Sequence, residues 1–220
     1  MVRPLHVGLD RHCSRRRLMA MPSIARVVDW GERIFIVLLA VPFLAAFAVA
    51  LPRHPNIILT AISETLTVGF MLTRRSGQIS VAPGALLVAL GGTAFPLLAR
   101  PGGVSLAPAW LTSIFMLGGL ALTVTSKLYL NRSFGLVAAN RGVKVGGPYR
   151  LVRHPMYLGY IITEFGFLLG NFGLPNLGTY LAAWTFQVLR VRAEENVLRK
   201  DRAYEDFAQR VHARLIPKVY

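Results

Sequence analysis

The chain has 220 residues, 54% of them apolar and only 16% charged, with 25 Lys and Arg against 10 Asp and Glu. That balance, together with a positive mean hydropathy, excludes an ordinary soluble domain. A net charge of +15 would point to nucleic acid in a soluble protein, but no aromatic-basic interleaving or helix-turn-helix pattern accompanies it, so nucleic-acid binding is set aside.

Residues 1–33 form a basic arm containing "RHCSRRRLMAMPSIAR". Cys13 is the only cysteine, so no disulfide within the chain and no cysteine-based metal site is expected. The length of the arm ahead of the first apolar run argues against a cleaved signal peptide. Six apolar runs follow, at 34–51, 57–72, 81–99, 109–130, 156–174 and 177–189. A helical span needs about 20 mainly apolar residues, and the last run reaches that length only if its polar flanks snorkel. The expected fold is all-α: a polytopic membrane protein with about six transmembrane or hairpin helices. Uncharged residues 171–178, "NFGLPNLG", are expected to turn the last two runs into a hairpin. Two carboxylates, Glu64 and Glu164, lie inside runs, where each is either a functional group or one partner in a helix-helix hydrogen bond.

If the N-terminus is cytoplasmic and all six runs cross, 23 of the 25 Lys and Arg lie on the cytoplasmic side, leaving only Arg53 and Arg100 opposite. That asymmetry orients the chain. The expectation is a multi-pass protein of a bacterial inner membrane, with both termini cytoplasmic and its basic segments against anionic lipid headgroups.

The polar half begins at Lys127. Residues 131–154, "NRSFGLVAANRGVKVGGPYRLVRH", read as a loop, in which Gly142, Gly146 and Gly147 permit close backbone approach to a ligand. Pro155 suits the first position of a helix, with His154 as its cap. The free amides of that first turn, with Arg153 beside them, make an anion site. The plainer reading has Arg150 and Arg153 holding phospholipid headgroups. Beyond Arg190 the spacing predicts a helix that leaves the membrane and lies along its surface, with Val197, Tyr204, Phe207 and Val211 as an apolar stripe. Arg190 and Glu194 share a helix face, as an i,i+4 salt bridge would, and the hairpin brings them near Arg153 and His154.

"GPYRLVRHPMYLG", an apolar hairpin, "LRVRAEENVL" and "YEDFAQRVHARLIP" together resemble the isoprenylcysteine carboxyl methyltransferase family, with its RHPxYxG motif and later Glu-Glu pair. Phospholipid methyltransferases share that core. The resemblance covers residues 127–217, and implies a cofactor-binding core there within a single integral membrane methyltransferase domain at 34–220. It implies S-adenosyl-L-methionine as cofactor, held by Tyr149, Arg153, His154, Pro155, Met156, Tyr157 and Gly159 on the motif side. It also places Arg141, Gly142, Val143 and Lys144 in the preceding loop, and Glu194 in the pair that closes on the cofactor. The cofactor's cationic groups and ribose hydroxyls suit Glu194 or Glu195, and no metal is implied.

By the same resemblance Arg190 falls on the substrate side. The expected reaction is in-line methyl transfer to a lipophilic acceptor dissolved in the bilayer, with the carboxylate of an isoprenylcysteine-like or other lipid favoured. A carboxylate needs no general base; for any other acceptor, His154 or Glu164 would be the base. Neither the reacting group of the acceptor nor the oligomeric state follows from the sequence. One competing reading is an NADPH-dependent membrane reductase of the sterol-reductase type, suggested by "RLIPKVY" but ill matched to a Glu-Glu pair beside a phosphate-rich cofactor. The other is a non-enzymatic transporter or scaffold, which would spread polar groups through several spans.

Overall fold

The computed structural model describes residues 23–50, 58–75, 78–79, 83–100 and 102–216. Cys13, most of the basic arm, Arg53 and the side chain of Glu64 lie outside the described residues. The chain is mostly helical. Helices α1 (Ser23–Ala50), α2 (Ile58–Thr73), α3 (Pro83–Ala94), α4 (Ala109–Leu130), α5 (Pro155–Gly170) and α6 (Leu174–Leu198) each contain or overlap one of the six apolar runs, and α7 (Arg202–Arg210) follows. Where α3 reaches Pro96, which has no N–H to continue the ladder, it tightens into a 3-10 turn at Phe95–Leu98. Two short strands, β1 (Gln78–Ile79) and β2 (Ala139–Asn140), pair antiparallel, with Gln78 opposite Asn140. Among the described residues one helix, Ala109–Ser133 counted with its 3-10 end, is long and apolar enough to cross a membrane, and Gly84–Ala94 is a shorter apolar helix.

Two corrections to the sequence reading concern helix ends. The hairpin turn is only Asn171–Gly173, because Pro175 starts α6 early by occupying its first turn, where a missing N–H costs nothing. The helix beyond Arg190 is not continuous: α6 stops at Leu198 and α7 starts afresh with Asp201 as its cap, accepting from Ala203 N at 3.0 Å.

Helices α4 and α5 meet through glycine. A Cβ at Gly119 would stand 2.5 Å from Thr163 N, one at Gly159 2.7 Å from Gly119 O, and one at Gly166 2.7 Å from Phe115 Cβ. Without side chains in the way the two backbones close on each other, the packing apolar helices use when no hydrophobic gain separates lipid from protein. Thr123 donates its hydroxyl to Gly119 O at 3.0 Å within α4, and Thr163 to Gly159 O at 2.9 Å within α5, with Met116 O of α4 at 3.5 Å. Between α5 and α6 large side chains mediate instead. Trp184 donates to Glu164 Oε2 at 2.9 Å, and the rings of Phe167 and Tyr180 meet edge-on at 6.0 Å. α3 lies against α6 where Gly91 and Gly92 leave room for Phe186 and for the Arg190 stem.

At the hairpin end, Val104 and Phe172 exchange backbone hydrogen bonds, both at 2.9 Å. Buried Asn176 donates to the carbonyls of Arg100 and Asn171 at 2.9 and 2.8 Å. At the opposite end α1 and α2 are joined by buried Arg74, which pairs with Asp29 at 2.5 Å and also with Glu32. Glu32 in turn accepts from Val137 N at 3.2 Å, and Arg132 donates to Thr73 O at 2.6 Å. These bonds fix the 131–138 segment against the bundle, and that segment is one wall of the site.

Candidate active site

An open pocket of about 700 Å³ lies where α4, α5, α6 and α7 converge on the 131–150 segment. Of the residues singled out in the sequence, Arg141, Gly142, Val143, Lys144, Tyr149, Arg153, His154, Met156, Tyr157 and Glu194 all line it. Thus side chains 53 positions apart along the chain face one space. Pro155, Gly159, Glu164, Glu195 and Arg190 do not line it. Pro155 sets the first turn of α5 and Gly159 belongs to the α4–α5 seam. Glu164 sits two turns deeper on α5, against Trp184.

Glu194 is the carboxylate that faces the pocket, with its side chain 21% exposed. Tyr157 donates its hydroxyl to Glu194 Oε1, and His154 Nδ1 lies 3.6 Å from Oε2. Burial alone would raise the Glu194 carboxyl, yet the His154 hydrogen bond and charge hold it below the usual carboxylate range. His154 shows the converse. Burial would lower it, but hydrogen bonds to Glu194 and Glu195 hold the imidazole above its ordinary value. His154 occupies the capping position of α5 but makes no side-chain cap, because both ring nitrogens are committed to these carboxylates.

Its neighbour Glu195 points elsewhere. Successive helical residues are about 100° apart, and Glu195 turns into a cluster behind the pocket wall. It takes two bonds from Arg153, at 2.7 and 3.2 Å, and one from Tyr204 at 2.9 Å, with Arg199 at 3.1 Å and Arg214 at 3.3 Å. Arg153 uses its remaining donors on the carbonyls of Val211 and His212, at 2.9 and 3.1 Å. Its backbone N–H and that of His154 go to Ala213 and Arg214, both at 2.9 Å. The acidic pair expected to act together on a cofactor is therefore split: Glu194 faces the pocket and Glu195 anchors the C-terminal segment. Arg153, expected at an anion site, is saturated by protein.

Arg141 differs from Arg153 in this respect. Its guanidinium runs beneath Gly135, where a Cβ would stand 2.7 Å from Cζ, and its Nε and Nη2 are buried without a hydrogen-bond partner among the described residues. Burial and the nearby Arg74 push it down to about 10, still cationic at neutral pH. An unpaired buried donor is costly, and the residue that carries these two lines the pocket. Across it, burial beside Glu194 raises the Tyr149 phenol well above its usual range.

Arg190 makes no salt bridge with Glu194 among the described contacts. It donates to Leu136 O at 3.1 Å and lies over the face of Tyr157 at 5.1 Å, with its Nε buried and unpaired. It stands behind Tyr157, on the side of the hydrophobic helices. The apolar stripe of α7 is likewise consumed by protein: Tyr204, Phe207 and Ala208 pack on Tyr149, and Tyr204 and Phe207 line the pocket. Sequence reasoning assigned that stripe to the membrane surface, since an amphipathic helix reads the same against lipid or protein. Phe134, Val137 and Leu198 also line the pocket and were not foreseen. Their only sequence signal was membership of the polar loop or the helix end.

The pocket thus has an arginine on one wall and an oriented carboxylate on another, near the start of α5 and the end of α6. Residues 121–200 match the Isoprenylcysteine carboxyl methyltransferase (ICMT) family, so the site-bearing part of the chain is ICMT-like. Two proteins named probable protein-S-isoprenylcysteine O-methyltransferase, from Oryza sativa subsp. indica and subsp. japonica, are each 41% identical over 73 residues, 31% of this chain and 38% of theirs. A Delta(14)-sterol reductase of Mus musculus is 38% identical over 88 residues, 38% of this chain and 21% of its own length. The matched segment thus spans well under half of each of these relatives.

Proposed function

We propose that this protein is an S-adenosyl-L-methionine-dependent methyltransferase acting on a lipophilic acceptor held in a membrane, with the carboxylate of an isoprenylcysteine-like lipid favoured. The observation that carries the reading is the pairing of Arg141 with Glu194 across one pocket. The cofactor has a carboxylate, for which the two unpaired Arg141 donors and the α5 first-turn amides are suited. It also has an ammonium and ribose hydroxyls, for which Glu194 is suited, oriented as it is by Tyr157 and His154. The donor set therefore fits the group. Similarity to proteins named as isoprenylcysteine methyltransferases over the same segment supports the assignment.

When bound, the cofactor would supply a methyl carbon already activated by positive sulfur. The chain's task is then position and dryness. Arg141 and Glu194 would hold the amino-acid end of the cofactor, Tyr157 lines the pocket toward the helices, and Arg190, stacked on the Tyr157 ring, sets that ring where the acceptor's carboxylate would enter. That carboxylate attacks without prior deprotonation, so His154 keeps its proton and serves to orient Glu194. The six apolar helices cross the bilayer in this reading, with the pocket and both termini at the cytoplasmic face, where 23 of the 25 Lys and Arg then lie.

Calorimetric titration of the detergent-purified protein with S-adenosylhomocysteine and with NADPH tests it. The reading expects binding of the first alone, its loss in Glu194→Ala, and unchanged binding but lost turnover in Arg190→Ala. Binding of NADPH alone would make the pocket a reductase site, the reading favoured by the similarity to the mouse reductase. Binding of neither would remove the enzymatic assignment.

A further inference from the structure

The pocket has two walls from distant parts of the chain. One is the 139–144 segment, carrying Arg141; the other is the end of α6 and α7, carrying Leu198, Tyr204 and Phe207. A side-chain bridge joins them. Asn140 donates Nδ2 to Asp201 Oδ2 at 2.8 Å, across 61 positions of sequence, and accepts from Gly142 N through Oδ1 at 3.0 Å. Gly142, at φ +103, makes the turn that lets its N–H point back to Asn140. That N–H also fixes which end of the Asn140 amide is oxygen, and hence that nitrogen faces Asp201. The other oxygen of Asp201 caps α7 through Ala203 N at 3.0 Å. One carboxylate thus holds both walls, and neither Asn140 nor Asp201 lines the pocket itself.

We propose that Asn140 and Asp201 are a positioning pair that holds the Arg141 wall against α7 and sets how long the adenosyl ligand stays bound. The inference rests on the cofactor reading above. The walls also meet through apolar contact of Val143 with the Tyr149, Tyr204 and Phe207 cluster, which resists compression but tolerates sliding. The Asn140–Asp201 bond is directional and charge-assisted. When it breaks, the segment keeps its β1–β2 pairing at Asn140 as a hinge and swings Arg141 away from the ligand.

The chemistry of the pair supplies its own control. Asp201→Asn keeps a good α7 cap but sets amide nitrogen against amide nitrogen. Asn140→Asp keeps the Gly142 bond but sets carboxylate against carboxylate. In the double variant Asn140→Asp/Asp201→Asn every bond can form again with donor and acceptor exchanged.

The experiment measures S-adenosylhomocysteine affinity and release by stopped-flow, and amide hydrogen exchange of residues 141–144, in the wild type, both single variants and the exchanged pair. Each single variant is expected to release ligand about tenfold faster or more and to exchange those amides faster without ligand. The exchanged pair should return both readouts to near wild type, which a variant that merely loosens the fold would not do. Single variants with wild-type release and exchange would overturn the inference, as would an exchanged pair no better than either single. A wild type that binds no S-adenosylhomocysteine would overturn it together with the cofactor reading, whereas normal binding with silent variants overturns the latch alone.

Discussion

Adjacent glutamates on one helix should fail in opposite ways. Glu195→Ala removes the acceptor for Arg153, whose side chain is 4% exposed, as is that of Glu195. Breaking a buried pair by removing one partner costs about 3–5 kcal/mol, because the remaining charge is left uncompensated. Arg199 and Arg214, at 42% and 34% exposure, are screened by solvent and add little. For a chain of this size each kcal/mol moves the melting temperature by about 2–4 °C, so the expected fall is about 6–20 °C. Because Arg153 also holds the carbonyls of Val211 and His212, the segment after Arg210 should become sensitive to limited proteolysis. Glu194→Ala should instead cost about 1–2 kcal/mol, keep that segment protected, and lose S-adenosylhomocysteine binding. Thermal unfolding in detergent, proteolysis and calorimetry on the two variants decide it. If Glu195→Ala melts within about 2 °C of wild type with its C-terminal segment still protected, the anchoring role is wrong.

Arg141→Met should raise the melting temperature of the ligand-free protein, by removing buried donors that lack partners, and weaken S-adenosylhomocysteine at least about tenfold; unchanged affinity in calorimetry would take Arg141 out of the site. The ionisation of the His154 cluster predicts a stability optimum in pH. Raised His154 contributes fully below its unfolded value of about 6.5 and loses its contribution as pH climbs through the folded value. Lowered Glu194 and Glu195 contribute above about 4.5 and lose it as pH falls. Melting temperature should therefore peak between about pH 4.5 and 6.5, and His154→Gln should flatten the alkaline decline; an unaltered decline would assign it to other groups. Gly159→Ala should push α4 from α5, since the new Cβ would lie 2.7 Å from Gly119 O, and cost about 1–3 kcal/mol, read as a lower melting temperature.

The helices were legible because apolar length is a local property, and each of the six runs meets a helix. The approach of His154 to Glu194 was legible because a short turn between two helices must return the chain to the face it left, whereas Tyr149 and Tyr157 were reached only through the family resemblance. What failed needed facts a single segment does not hold. Neighbouring Glu194 and Glu195 are chemically identical in sequence, and only the arginines arriving from 153, 199 and 214 decide which is anchored. Arg153 and Arg141 likewise read as equivalent basic loop residues, yet one is saturated and the other has buried, unpaired donors. The Asn140–Asp201 bond joins two polar residues with no periodicity to announce them.

The amides of Arg153 and His154 are closed by the carbonyls of Ala213 and Arg214. During synthesis the motif that begins α5 therefore leaves the ribosome some 60 residues before its partners do. Until then the glycine seam between α4 and α5 can close, but the mouth of the pocket has no back. Assembly of the bundle and completion of the site are in this way separated in time, and a chain that has emerged only as far as Arg210 would be a built bundle with an unfinished pocket.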